Sequence, residues 1–256
     1  MEDSQVDALA AEERPQVAPF LWGVIWTGVQ WWYLQRPHVG LWVAIGVAVI
    51  VSLWAYRHRL KLVSPRSFWL GTMVFLLSSL SVISFISDDR TKIVTIVATG
   101  MVLWLFLRQA IQLTSDELQG RMMTFAMTLS YWFGMISIFY LSVVAIRPWW
   151  QVVIAGSVLY LLVATIVWLD LRVPATRFRH AFFPMLWLGA ELALIGWWLS
   201  SSVLVSAFIV TVPGMLMIHL CRHVWLESWK PGRSRRYVVF GVSLLVLVIL
   251  TARWIQ

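Results

Sequence analysis

The sequence predicts an all-α, polytopic integral membrane protein of about nine transmembrane helices with short loops. Three observations carry this reading. Sixty per cent of the 256 residues are hydrophobic and only 12% are charged, about half the charge with which a soluble domain covers its surface. Apolar runs long enough to cross a hydrocarbon layer of roughly 30 Å recur along the whole chain. Basic residues concentrate in every second loop, as they do in an oriented bundle. Backbone groups in a bilayer must bond to one another, so the runs are helices, and the alternating pattern of a membrane barrel is absent from the sequence.

Taken in order, the first 16 residues, "MEDSQVDALAAEERPQ", are acidic, polar and aperiodic and read as a disordered cytoplasmic tail. They lack the basic start and small-residue cleavage site of a signal peptide, so the first span is expected to stay in place. That span, 17–35, is diluted by Gln30 and ends at Arg36-Pro37. Spans 39–56 and 68–87 flank a loop holding Arg57, Arg59, Lys61 and Arg66. Span 92–112 loses its apolar character after Leu107, and Arg108 must snorkel to the headgroups. Span 122–145 stops at Arg147-Pro148, and 149–169 follows at once. Spans 182–199 and 203–221 are joined only by three serines, 200–202, which demands a tight antiparallel hairpin. A basic segment, 222–236, leads to the last span, 237–254. Residues 17–256 thus read as a single transmembrane domain.

A net charge of +8 invites a nucleic-acid partner, and its distribution argues against one. Fourteen Lys and Arg fall at 57–67, 108–121, 170–181 and 222–236, against five (Arg36, Arg90, Lys92, Arg147 and Arg253) in the other loops and at the C-terminus. The positive-inside rule places the N-terminus in the cytoplasm and the C-terminus outside, as expected for a bacterial cytoplasmic membrane. The partners expected are the bilayer, its anionic headgroups included, and a second copy or another membrane protein. Most of the 18 tryptophans fall near predicted helix ends and read as an interfacial belt. No loop holds a soluble catalytic domain, no Walker or Rossmann glycine pattern appears, and no cofactor is expected. The lone Cys221 makes no intrachain disulfide.

Within "LGAELALIGWWLSSS" (188–202) one carboxylate, Glu191, interrupts an apolar run. Counting from the serine turn puts it level with Val212 and Pro213, near the midplane. Proline removes a helix hydrogen bond and Gly214 loosens the next turn, so the eighth span is expected to kink there, with Thr211 adding a hydroxyl. An acid at that depth costs roughly 2.5–3.5 kcal/mol on insertion scales, and acids beside broken helices are how secondary transporters build sites. Glu191, Thr211, Pro213 and Gly214 are therefore the candidate site, with the acid facing a cavity between the seventh and eighth spans. The plainer reading is that the acid only locks those two helices through a hydrogen bond.

A second constellation is histidine. His219 and His223, four residues apart, share a helix face and can share a metal with His180 as third ligand; Glu191 lies too deep to join them. Interfacial histidines more commonly meet headgroups, so this metal set is the alternative reading. A loose echo relates 17–87 to 182–254: "PFLWGVIW" at 19 and "PMLWLGAE" at 184, and Arg57-His58 with Arg222-His223, share an offset of 165 residues. Parallel repeats occur in transporters, although Trp26 stands where the echo places Glu191.

The leading functional expectation is a small transporter or channel-like protein with a midplane acidic site. A membrane-embedded enzyme acting on a lipid-linked substrate at the cytoplasmic face, or a non-catalytic subunit, are the alternatives.

Overall fold

A computed structural model describes the backbone of residues 2–59, 65–112, 116–145, 148–170, 175–199 and 202–225, with scattered helical positions between 235 and 250, and the side chains of 17–57, 67–108, 123–145, 148–169, 179–199 and 202–221 together with those scattered positions. Among the described residues eight continuous helices follow in order: α1 Glu2–Gln35, α2 Pro37–Arg59, α3 Pro65–Ile83, α4 Asp89–Gln112, α5 Asp116–Val144, α6 Trp149–Asp170, α7 Ala175–Trp198 and α8 Val203–Trp225. No strand occurs among the described residues. Among the described residues six stretches are long and apolar enough to cross a membrane: Pro37–Arg57, Asp89–Arg108, Met123–Val144, Trp149–Leu169, Arg179–Trp198 and Val203–Cys221. Ser67–Ile83 is a shorter apolar helix. Half of the predicted ninth span lies outside the described residues.

Several boundaries differ from expectation, with α5 and α7 beginning at Asp116 and Ala175, six and seven residues before their predicted spans, and three others show a local reason. The backbone of the acidic segment before residue 17 is helical and continuous with the first span, because Glu, Gln, Ala and Leu favour helix even without an apolar stripe. Helix α3 stops at Ile83, four residues early. There Ser84 and Phe85 donate to the carbonyls of Ser81 and Val82, tightening the last turn. Asp88 then caps α4: its carboxylate accepts from the Thr91 backbone N–H at 2.7 Å and from the Thr91 hydroxyl at 2.6 Å. An N-cap needs non-helical backbone, so the cap starts α4 at Asp89, three residues before the apolar run. Lys92 pairs with Asp89 on the same turn.

The chain divides into two compact units, 1–126 and 127–256. In the first, α1 packs on α2 and α4, and α2 on α3. The α1–α4 crossing is built from small residues. A Cβ on Gly23 would lie 2.8 Å from the Gly100 carbonyl oxygen, and one on Gly100 would strike the Thr27 hydroxyl. Small residues let membrane helices approach where no hydrophobic force draws them together. The interior of this unit holds a bonded polar cluster. Ser79 on α3 accepts from the Trp26 indole at 3.2 Å and from the Gln30 amide at 3.1 Å, while donating to the Leu76 carbonyl at 2.8 Å. Thr99 on α4 reaches the Gln30 carbonyl oxygen at 2.9 Å. All four side chains are buried. Gln30, which only dilutes the first span in sequence, is the centre of a bonded cluster joining three helices. Arg108 at the far end of α4 lies over the Trp104 ring, 5.7 Å from its centroid.

In the second unit α7 packs on α6 and α8, and α6 touches α8. Again the contact faces are small: a Cβ on Gly189 would lie 3.1 Å from the Ser157 Cα, and one on Gly156 would lie 2.6 Å from the Ala193 Cβ. Gly196 admits Phe139 of α5 and Val210 of α8. Belt and core divide the tryptophans. Trp31, Trp32, Trp42, Trp149, Trp150, Trp197 and Trp198 are exposed, whereas Trp168 is buried within its unit.

Candidate functional site

Helix α7 has two faces, and their contents are set by its period. Gly189, Leu192, Ala193 and Gly196, at helical spacing, are buried against the neighbouring helices. Phe183, Trp187, Glu191, Ile195 and Trp198 follow the opposite stripe and are exposed. Glu191 keeps the mid-helix depth that the hairpin count gives it and stands on the exposed stripe, while its neighbour Leu192 is the residue that meets Gly214. One residue along a helix is about 100° of rotation, and the small-residue stripe decides which side packs.

The carboxylate is held in place on its own helix. The Trp187 indole N–H donates to Glu191 Oε1 at 2.6 Å across one turn. Both residues line a lateral groove of about 990 Å³. Phe183, Pro184 and Met185 extend its α7 wall; Val153, Ile154, Ser157 and Val158 come from α6, and Met217 and Cys221 from α8. Among the described residues no Lys, Arg or His lines it. The Ser157 hydroxyl is spent on the Val153 carbonyl. Glu191 is thus the one charged group, among the described residues, of an otherwise apolar concavity open to the side.

The other sequence candidates lie behind this groove. Thr211 is buried and donates to the Ala207 carbonyl of its own helix at 2.7 Å. Helix α8 continues as one element through Pro213. Gly214 is buried, and its role is spatial. A Cβ there would lie 3.0 Å from the Tyr160 ring and 3.2 Å from that of Tyr131. The Tyr160 hydroxyl donates to the Gly214 carbonyl at 3.0 Å, and the two phenol rings are 5.5 Å apart. The Tyr131 hydroxyl is buried without a partner among the described residues. Sequence reasoning missed this pair; the available signal was two phenols far from helix ends, where each hydroxyl needs a bond.

His180 is exposed near the start of α7 and His219 is partly buried on α8, while the side chain of His223 lies outside the described residues. Among the described residues no three His, Cys, Asp or Glu side chains converge as metal ligands. Comparison of the chain with protein-family models, with curated proteins and with solved structures finds no match in any of the three.

Proposed function

We propose that this integral membrane protein is a small transporter or channel-like protein whose proton- or cation-linked site is Glu191. The observation that supports the reading is the placement of that carboxylate: mid-helix, anchored by the Trp187 indole, in a groove that is otherwise apolar. An acid retained at such a depth carries a substantial insertion cost. A merely structural role is disfavoured, because its bond runs to its own helix and joins no second one. Thr211, Pro213 and Gly214 belong to this reading as the inner layer that shapes α8 and seats Tyr160.

The proposal includes nine spans in a bacterial cytoplasmic membrane, N-terminus inside and C-terminus outside, with basic loops against anionic headgroups. Flux of a panel of ions and small metabolites into liposomes containing this protein alone tests it. Glu191→Gln is expected to abolish coupled flux while the protein still folds. Unchanged flux in that variant rejects Glu191 as the coupled site.

The outward placement of Glu191 also favours a second reading, a non-catalytic subunit that offers its α7 face to another membrane protein. That reading requires a fixed partner at constant stoichiometry on purification, and an absence of flux from the isolated chain.

A further inference from the structure

The groove beside α7 poses a chemical problem that lipid does not solve. Acyl chains can cover Phe183 and Trp187, which are 75% and 70% exposed, but they offer nothing to the carboxylate between them and the rest of the span. An ionised carboxylate accepts about four hydrogen bonds, and the Trp187 indole supplies one. A resident small cation fits poorly, since hard cations take six or more oxygens and the groove presents one carboxylate. A passing helix is about 10–12 Å across with its side chains and needs a face along a whole span, whereas this concavity is local. Its volume of about 990 Å³ lies at the upper end of the range for small-molecule sites.

We propose that the groove is a binding site for a lipophilic organic cation, an amphiphile of drug-like size with one positive charge, entering from the bilayer. Phe183, Trp187 and Glu191 stand on successive turns of one helix face. They form a ladder of two aromatic faces and one carboxylate. Aromatic faces attract a desolvated cation within about 6 Å, and the carboxylate neutralises it in a low-dielectric site. The apolar α6 wall and Met217 take the hydrophobic body; methionine adapts to irregular shapes. The inference rests on the acidic-site reading above and names its ligand class.

The test uses the full chain in phosphatidylcholine nanodiscs, with equilibrium binding of tetraphenylphosphonium and of a neutral analogue of similar size, triphenylphosphine oxide. Wild type is expected to prefer the cation by about tenfold or more, the equivalent of a single well-placed charge interaction. Glu191→Gln should bring the two affinities within about twofold while leaving the neutral one unchanged. Glu191→Asp, which keeps the charge, should retain the preference, and Trp187→Leu should weaken cation binding about three- to tenfold.

Equal binding of the two probes by wild type overturns the proposal and leaves a lipid-filled groove. A preference that survives Glu191→Gln overturns it too, because the selectivity then arises elsewhere. Glu191-dependent self-association without cation preference assigns the groove to a second copy and also overturns it. Binding and transport fail separately. Cation preference without flux leaves the site and removes the transporter, whereas Glu191-dependent flux without cation preference does the reverse.

Discussion

The Tyr160 hydroxyl donates to the Gly214 carbonyl at 3.0 Å, and this bond ties α6 to the Pro213-Gly214 step of α8. Tyr131, its ring neighbour, leaves a buried hydroxyl without a partner among the described residues. The two phenols therefore respond oppositely to the same change. Tyr160→Phe should destabilise by about 0.5–1.5 kcal/mol, the usual net value of a hydrogen bond. Tyr131→Phe should be neutral or slightly stabilising, since it removes an unpaired buried donor. Reversible unfolding in mixed micelles reads both. Equal losses would refute the assignment of the bond.

A matched pair tests the α1–α4 crossing. Gly23→Ala puts a methyl 2.8 Å from the Gly100 carbonyl oxygen, on backbone that cannot swing aside, and should cost about 1–3 kcal/mol as overpacking does. Nothing lies within 4 Å of a Cβ at Gly28. Gly28→Ala should therefore be neutral or gain up to about 1 kcal/mol from helix propensity. Thermal unfolding of the two variants separates packing from propensity.

The buried cluster of the first unit predicts an asymmetry between its members. Ser79→Ala removes the acceptor of both the Trp26 indole and the Gln30 amide, leaving two buried donors at about 1–3 kcal/mol each if nothing relaxes. Gln30→Leu removes the demanding group itself. Trp26 keeps Ser79, and Thr99 keeps the Ile96 carbonyl. Its loss should stay below about 1 kcal/mol, near the average for hydrogen bonds between membrane helices. A Gln30→Leu protein less stable than Ser79→Ala would contradict the bonding scheme.

Asp88 makes stability depend on acidity. Bonds from the Thr91 hydroxyl and backbone N–H hold its carboxyl below the ordinary aspartate value. A group depressed on folding stabilises fully above its unfolded pKa and loses that contribution as pH falls through its folded one. Helicity at the start of α4 should hold at neutral pH and fray in the acid range below that of free aspartate. Asp88→Asn keeps a capping oxygen and should remove this step from the acid melt of amides 89–92, followed by hydrogen exchange.

Topology rests on the 14 basic residues in one set of loops against five in the other and at the C-terminus. A reporter fused after Gln256 should read as external and one inserted in 222–236 as cytoplasmic. Both on one side would reject the proposed count of nine spans.

The sequence by itself determined the membrane class and most helix boundaries, because both rest on local quantities. Apolar length decides whether a segment can span, and backbone bonding in lipid decides that it is helical. Arg36-Pro37 ends α1 where expected, and 149–169 needs one residue to become α6. The caps could be read as well: Asp88 with Thr91 is a local pattern, although the apolar run alone started α4 three residues late. Only the tertiary structure decided which side of each helix packs. In lipid a buried face and an exposed one are equally apolar, so hydropathy cannot tell them apart, and close approach of small residues chooses. That choice put Gly189, Ala193 and Gly196 inward and turned Glu191 out to a lateral groove. It also drew Gln30 into a bonded cluster and threaded Tyr160 between Gly189 and Gly214, because shape and hydrogen-bond geometry, unlike hydropathy, are properties of the assembled helices.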